Sequence, residues 1–462
     1  MTSPQTNPSW KNDGLLKRVL RNSGHLLSST TVSAVLGMAQ GILAVRLLGA
    51  DGYGLVAGIV MVFATNVNRL LSFRMSEVTV KFVGEAIAQN DKPRAAALVK
   101  RIGLTEAGTS SLAYLVLLAL TPWAAQTFAK DPASANLFRI YGLFLLANIV
   151  YETSTGVLQT FKRFDRLAAI NLAQSILTFV LISAAFFLHG TLIHVLLAYL
   201  AGKTIAGITI IWLAALELNR NLGPSWWQSR DQELKTDHWS LITGNSSSSI
   251  FHLSSFAINT NLNGTVNLIV RDSPTLLLAL FVTPAEVGYF KLALVLINFI
   301  TLPIEPFIWP TYAELTESIV RSEWIATKRL LRRVSTIAAA WTFSAAAGLA
   351  LFGGWLIPLV YGVDFAPAYP LTLILLIGFG FANILHWNRP LLLALGNPSF
   401  PLIASALVGA AQIALVFLLV PRYGYLAMAW LMTGYFIFSI SLIVYRGLSE
   451  INRKSKIVNQ KS

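Results

Sequence analysis

The sequence predicts an all-α polytopic membrane protein of about 12 transmembrane helices in two six-helix bundles, related by a pseudo-two-fold axis along the membrane normal. Three observations predict this fold class: a low share of charged residues, a series of long apolar runs, and an internal repeat near half the chain length. The 462 residues are 55% hydrophobic and only 12% charged. A soluble globular chain carries about 25% charged residues, so this composition is typical of a protein whose main solvent is lipid.

Twelve apolar runs are long enough to cross a bilayer, which takes about 20 mostly apolar residues. We number them spans 1 to 12, and they lie at 25–45, 54–73, 102–122, 138–160, 167–188, 191–216, 246–270, 284–308, 334–357, 370–392, 400–420 and 424–445. They predict a first bundle at 1–216, a cytoplasmic linker at 217–245, and a second bundle with a basic tail at 246–462. The basic intervals 74–101 and 311–333 are expected to be amphipathic segments that lie against anionic headgroups.

The distribution of basic residues predicts the orientation. With a cytoplasmic N-terminus, 28 of the 35 Lys and Arg residues fall in segments on the cytoplasmic side and 5 fall on the opposite side. Cytoplasmic loops of membrane proteins carry an excess of Lys and Arg, so both termini are predicted to be cytoplasmic. Because the cations lie in short segments between apolar runs, the net charge of +14 indicates membrane orientation, and no nucleic-acid partner is expected.

The sequence predicts no cofactor, no metal and no catalytic residue. The absence of cysteine excludes disulfides, iron–sulfur clusters and thiol catalysis. Gly202-Lys203-Thr204 matches the end of a phosphate-binding loop, but Leu197 stands where the first glycine belongs, and the run has no preceding strand. Nucleotide binding is therefore rejected.

The two halves of the chain repeat one another. Because each half holds an even number of spans, both halves cross the membrane in the same direction, and parallel repeats of this kind place the substrate site at their interface near the bilayer midplane. Four pairs of motifs recur in order, 234 to 236 residues apart: Gly52-Tyr53 with Gly288-Tyr289, Pro122 with Pro358, Ala147-Asn148-Ile149 with Ala382-Asn383-Ile384, and Gly190 with Gly424.

A polar stripe on span 7 supplies predicted substrate-binding residues. Asn259, Asn263, Asn267 and Arg271 follow one another at four-residue steps, which puts them on one side of a helix. Polar groups inside a membrane are costly unless they face protein or water, so the stripe favours a wet cavity. Hydrogen bonding between helices is the alternative explanation of the same pattern.

Spans 6 and 8 supply further predicted substrate-binding residues. Lys291 and Asn298 are seven residues apart on span 8 and therefore share a helix face. Lys291 is either a substrate cation or a side chain that reaches to the headgroup level. Lys203, inside span 6, either binds an anionic substrate or pairs with an acid.

Span 4 carries the best candidate for coupling to an ion gradient. Asn148, Glu152, Thr155 and Gln159 form a narrow polar stripe around one carboxylate. An acid within the membrane can release and rebind a proton as its hydration changes. The alternative role of Glu152 is a structural hydrogen bond to a neighbouring helix.

Motifs at the span boundaries carry a family resemblance over nearly the whole chain. They are Arg46-Leu47-Leu48-Gly49-Ala50-Asp51-Gly52-Tyr53-Gly54 after span 1, Asp272 near the end of span 7, Thr283-Pro284-Ala285-Glu286-Val287-Gly288-Tyr289-Phe290 at span 8, and Pro421-Arg422-Tyr423-Gly424-Tyr425 before span 12. With the basic start and the two six-helix halves, they resemble the polysaccharide flippases of the multidrug/oligosaccharidyl-lipid/polysaccharide exporter superfamily. The loop after Asp272 departs from the family pattern by an added Ser273-Pro274.

The resemblance implies a mechanism and a location. It implies an alternating-access flippase in the bacterial inner membrane that moves an undecaprenyl-diphosphate-linked oligosaccharide, such as an O-antigen, capsule or exopolysaccharide unit, to the outer leaflet. It further implies ion coupling, for which Glu152 and Asp272 are the candidate acids. The implied partners are the lipid-linked oligosaccharide, membrane lipids, and a polysaccharide polymerase with its chain-length machinery.

Three other functions stay open on the sequence. A drug or metabolite antiporter of the same superfamily would favour acids in its cavity, whereas the candidate residues here are mostly basic or neutral. A membrane polysaccharide polymerase or glycosyltransferase typically has a large outer loop with catalytic charges, and the outer loops here are short. An assembly scaffold would leave the charged residues inside the spans without a purpose.

Overall fold

The computed structural model describes residues 14–71, 75–229, 268 and 273–461, with side chains described from Val32 to Lys456 within those ranges. In this part of the chain, nine helices are long and apolar enough to cross a membrane. They are α1 (Val32–Ala88, of which 72–74 are not described), α2 (Lys92–Thr127), α3 (Pro132–Thr160), α4 (Phe164–Phe187), α5 (Leu192–Leu222), α6 (Pro284–Val320), α7 (Trp324–Tyr361), α8 (Ala368–Ala394) and α9 (Ser399–Lys456).

Two of these helices each contain two predicted spans. α1 contains spans 1 and 2 and is kinked at Gly49, where φ is 65°. α9 contains spans 11 and 12 and is kinked at Gly424, where φ is 59°. Glycine adopts a positive φ readily because it has no Cβ. The chain can therefore change direction at Gly49 and Gly424 while the residues before and after each glycine stay helical. Eleven predicted spans therefore fall on the nine described helices, while span 7 lies outside the described residues apart from Leu268.

Most described residues of the intervals 74–101 and 311–333 lie within the long helices, and their contact with anionic headgroups stays a prediction. Only residues 89–91 separate α1 from α2, and only 321–323 separate α6 from α7. The helices continue because their apolar side chains remain packed beyond the predicted spans. Val83 on α1 and Leu98 on α2 belong to one buried cluster, and Leu315 on α6 belongs to another.

The backbone repeats the internal symmetry of the sequence. Corresponding helices in the two halves end at residues with a positive φ, where the chain can turn back sharply. Three such pairs occur at intervals of 232 to 234 residues: Asn90 with Ser322, Lys130 with Gly362, and Lys162 with Gly396.

The described residues belong to two compact units. The first unit is Leu36–Gly288, and the second joins Tyr289–Ser462 to the segment before Leu36. Helix association in lipid depends on close packing, because lipid tails are as apolar as the side chains. The predicted domain limits at 216 and 246 stay a prediction, since residues 230–267 lie outside the described ranges.

Each unit has its own buried core. In the first unit, Ile102, Leu158 and Ile210 come together from α2, α3 and α5, and each is at most 1% exposed. In the second unit, Leu330 on α7 and Leu391 on α8 are both fully buried within one cluster. These cores fix the helices on which the candidate site residues lie.

Candidate functional site

The predicted acid Glu152 lies directly after a break in α3. The helix is interrupted at 148–150, where Val150 has φ −134° and ψ 33°, and it starts again at Tyr151. The first N–H groups of a helix have no partner within the helix, so a restart inside the membrane needs an acceptor from elsewhere. Val150 provides no side-chain cap of its own.

Glu106 on α2 supplies this missing cap. One carboxylate oxygen accepts the N–H of Glu152 at 2.8 Å. The other accepts the N–H of Thr153 at 2.8 Å and the Thr153 hydroxyl at 2.5 Å. Glu106 is only 1% exposed, so its carboxyl oxygens are held at the start of the restarted helix, away from water. The sequence prediction missed Glu106, although a lone acid inside span 3 is itself a signal of a special role.

Glu152 connects α3 to α1. Its carboxylate accepts the Ser76 hydroxyl at 2.5 Å. Gly156, one turn later, allows this approach, because a Cβ there would lie 2.6 Å from Cβ of Thr79 and 2.8 Å from the Ser76 carbonyl oxygen. Glu152 is half-buried, whereas Glu106 is enclosed, so Glu152 is the more accessible carboxylate of the pair.

Lys203, a predicted substrate-binding residue, lies against aromatic rings of the first unit. Its ammonium nitrogen is 4.6 Å from the ring centroid of Phe144 and 5.7 Å from that of Tyr141. Ring faces carry negative charge and attract a cation, so the two rings on α3 stabilise the charged amine without neutralising it. The adjacent Gly202 keeps α5 close to α4, because a Cβ there would collide with the side chain of Thr178.

A second cation lies in the same region. The charge of Arg69 on α1 repels the ammonium of Lys203, so both cations contribute positive potential to this region of the first unit. Arg69 is exposed, at the end of span 2. The sequence gives no signal that Arg69 and Lys203 act together, because nothing in the linear pattern connects span 2 with span 6.

The predicted residues on span 8 lie on α6, in the second unit. Lys291 is partly buried and Asn298 is exposed. The main-chain carbonyl oxygen of Asn298 accepts the Thr301 hydroxyl at 3.1 Å. The other predicted residues, Asn259, Asn263, Asn267, Arg271 and Asp272, lie outside the described residues.

The boundary motifs of the two halves contact one another inside the first unit. A Cβ on Gly54 would lie 2.8 Å from the Gly288 nitrogen, and one on Gly58 would lie 2.6 Å from Cγ1 of Val287. Only glycine permits such an approach of two helices. Gly54–Val60 is π-helical, a distortion found most often at functional positions. These glycines therefore specify a backbone contact and not a particular cargo.

Ser273, the residue added relative to the family pattern, joins two elements of the first unit. Its hydroxyl accepts the amide N–H of Asn66 at 2.7 Å and donates to the Leu268 carbonyl at 2.8 Å. Pro274 begins the short helix Pro274–Ala279. Proline suits the first position of a helix because its missing N–H would have no partner there.

Comparison with known proteins gives matches over most of the chain. A family model described as "Polysaccharide biosynthesis protein" matches residues 19–315. "Inner membrane protein YghQ" of Escherichia coli (strain K12) is 23% identical over 365 residues, which cover 78% of this chain and 98% of that protein.

Solved structures share the fold. An inward-facing multidrug resistance MATE family transporter of the MOP superfamily aligns with a TM-score of 0.69 at 14% identity, over 95% of this chain and 99% of that one. An outward-facing MATE family transporter aligns with a TM-score of 0.62 at 14% identity, over 98% and 100%. A MOP superfamily transporter from Pyrococcus furiosus aligns with a TM-score of 0.60 at 13% identity, over 98% and 99%. These similarities confirm the predicted class, a helical polytopic protein with two six-helix bundles.

Proposed function

Because this chain belongs to the polysaccharide biosynthesis protein family, we propose that it is an alternating-access flippase for an undecaprenyl-diphosphate-linked oligosaccharide. The family and the fold point to a multi-pass membrane transporter and not to an enzyme. The proposal adds the cargo, its diphosphate, and the direction from the inner to the outer leaflet. The observation that carries the cargo assignment is the amine of Lys203, which lies against the rings of Phe144 and Tyr141 within the first unit.

The chemistry of this amine suits a diphosphate. A phosphate moved out of water needs positive charge and N–H donors nearby, or its transfer is strongly unfavourable. Phe144 and Tyr141 stabilise the ammonium of Lys203 but leave its N–H groups able to donate to an anion.

Glu152 is the proposed coupling acid on the described part of the chain. It is half-buried and accepts a hydrogen bond from Ser76 on α1, so binding of a proton or cation would change the contact between α1 and α3. Asp272 is the second proposed coupling acid. The Glu152 carboxylate would bind either an ion or the Ser76 hydroxyl. An ion gradient would in this way change the position of α1 relative to α3.

The proposed location is the bacterial inner membrane, as the name of the Escherichia coli relative suggests. Both termini are proposed to be cytoplasmic, since the excess of Lys and Arg lies in the segments on that side. The proposed partners are membrane lipids and, downstream of export, a polysaccharide polymerase with its chain-length machinery.

The test replaces Lys203 by methionine in cells that make the polysaccharide. Methionine keeps a flexible apolar chain against the rings but cannot balance phosphate charge. Undecaprenyl-diphosphate oligosaccharide should accumulate in the cytoplasmic leaflet, whereas Lys203→Arg should retain most of the export. Lys130→Met is the matched control, because the Lys130 amine is exposed and donates to the Leu280 carbonyl at 2.8 Å. Normal export by Lys203→Met at an unchanged protein level would contradict the cargo assignment.

A further inference from the structure

Three arginines converge on one buried carboxylate where helices of the first unit end. Glu217 on α5 has no exposed side-chain area. Its Oε1 lies 3.1 Å from Nε of Arg163, 3.0 Å from Nη1 of Arg166 and 3.5 Å from Nη1 of Arg220. α3 ends at Thr160, α4 begins at Phe164, and α5 ends at Leu222, so the cluster marks one end of this helix group.

The cluster has more positive charge and more donors than Glu217 can satisfy. A guanidinium offers five N–H donors, whereas a carboxylate offers about four acceptor positions in total. Arg163, Arg166 and Arg220 remain 42%, 27% and 60% exposed. Lys162 and Asp165 in the same turn are both exposed. The segments 162–166 and 217–220 together hold four cations and two acids, which leaves a net charge of +2.

The second half of the chain shows that this excess is not needed to hold the turn. The corresponding acid on α9 is Glu450, which is 233 residues after Glu217 and 8% exposed. It pairs with Arg446 at 3.1 Å and accepts the side-chain amide N–H of Asn397 at 3.4 Å. The positions that correspond to Lys162, Arg163 and Arg166 hold Gly396, Asn397 and Phe400. One arginine and one asparagine thus suffice for the same structural task.

The surroundings of the cluster are those of a membrane interface. Trp227, just beyond the end of α5, is 52% exposed, and Phe164 at the start of α4 is 59% exposed. Lys100 holds the segment after α5 in place, because its amine donates to the Ser229 carbonyl at 3.0 Å and lies 5.8 Å from the Trp227 ring. Tryptophan is enriched at the headgroup level of membranes, where lipid phosphates lie.

We propose that the exposed faces of Arg163, Arg166 and Arg220, with Lys162, bind the phosphate group of an anionic phospholipid. Arginine suits this ligand because its planar fork donates two parallel hydrogen bonds to phosphate oxygens. Glu217 holds the three guanidinium groups in place, so they are ordered before the lipid binds. This inference does not depend on the identity of the cargo.

The test measures thermal unfolding of the purified full-length protein in neutral detergent. Addition of phosphatidylglycerol should raise the unfolding temperature above that seen with phosphatidylcholine. The double variant Lys162→Gln, Arg220→Gln should lose at least about half of that difference, since it removes the two most exposed cations while Arg163 and Arg166 still hold Glu217. An unchanged unfolding temperature in phosphatidylcholine would show that the double variant folds.

The second repeat provides the matched control. Arg453 follows Glu450 by three residues, as Arg220 follows Glu217, and it is exposed on α9. Arg453→Gln should keep the full phosphatidylglycerol effect, and an equal loss in this variant would overturn the site. Inorganic phosphate and pyrophosphate form the second arm. If either reproduces the whole stabilisation in the absence of anionic lipid, the site binds free phosphate and the lipid assignment is overturned.

Discussion

Glu106 and Glu152 are neighbouring carboxylates with different hydrogen-bond surroundings. Glu106 accepts from two backbone N–H groups and one hydroxyl of the restarted helix, and it is almost fully buried. Glu152 accepts from a single hydroxyl on another helix and is half-buried. Adjacent acids in one polar region therefore have separate roles, one in holding the break in α3 and the other in the proposed coupling.

Replacement of Glu106 by alanine should destabilise the first unit. Two N–H groups at the start of the restarted helix would lose their acceptor inside the membrane, at a cost of about 1–3 kcal/mol each in buried surroundings. The apparent unfolding temperature in detergent should fall. Leu104→Ala is the control, because Leu104 is 51% exposed on the same helix. Equal unfolding temperatures for Glu106→Ala and Leu104→Ala would show that the cap contributes nothing.

Replacement of Glu152 by glutamine should uncouple transport from the ion gradient. The amide oxygen can still accept the Ser76 hydroxyl, so the contact between α3 and α1 is kept, while the group that binds a proton or cation is lost. Export should become low and insensitive to agents that collapse the proton or sodium gradient. Ser76→Ala is the companion variant, since it removes the contact and keeps the acid. A Glu152→Gln protein that still responds to the gradient would rule out Glu152 as the coupling acid.

Some candidate site residues could be predicted from the sequence, because a charged residue within an apolar span is easy to recognise without a structure. Lys203 and Glu152 are predicted site residues for this reason, and the structure shows an aromatic ring beside Lys203 and a hydroxyl bonded to Glu152. The roles of Glu106 and Arg69 depend on contacts with residues far away in the sequence. Helical periodicity gives the face of one helix but not the helix that packs against it.

At the scale of helices, glycines determine which elements come into contact. Gly156 brings α3 onto the segment of α1 that carries Ser76 and Thr79, and this approach makes the bond between Glu152 and Ser76 possible. The predicted spans gave the helices themselves, since eleven of them fall on described helices. The sequence did not show that the intervals 74–101 and 311–333 lie mostly within these same long helices, because a packed helix can continue where the hydropathy of the sequence declines.

Gly156→Ala should weaken both packing and export. The new Cβ would lie 2.6 Å from Cβ of Thr79 and 2.8 Å from the Ser76 carbonyl oxygen, so the two helices must separate. Overpacking of this kind costs about 1–3 kcal/mol. Gly108→Ala on α2 is the matched control, because no atom lies within 4 Å of its added Cβ. Unfolding temperatures in detergent should fall for Gly156→Ala and stay the same or rise for Gly108→Ala, since alanine favours a helix by about 1 kcal/mol over glycine. The reverse order would contradict this account of α3 packing.

At the scale of the whole molecule, the two halves of the chain repeat the same helix order but differ in the charges at corresponding turns. The turns at Lys162 and Gly396 and the acids Glu217 and Glu450 occupy corresponding positions, yet only the first repeat gathers three arginines. The parallel repeat was predictable from four short motifs. The divergence was not, because it is visible only once corresponding turns are aligned in space.

The central claim is that the chain moves a lipid-linked oligosaccharide between leaflets, and its direct test is flipping by the purified protein in liposomes. Undecaprenyl-diphosphate oligosaccharide in one leaflet is measured as it becomes accessible to a glycan-binding reagent on the other side. The account predicts transfer faster than in protein-free liposomes, accelerated by an imposed ion gradient and strongly reduced by Lys203→Met. Transfer at the protein-free rate under every gradient, by protein that is shown to be folded, would contradict the claim.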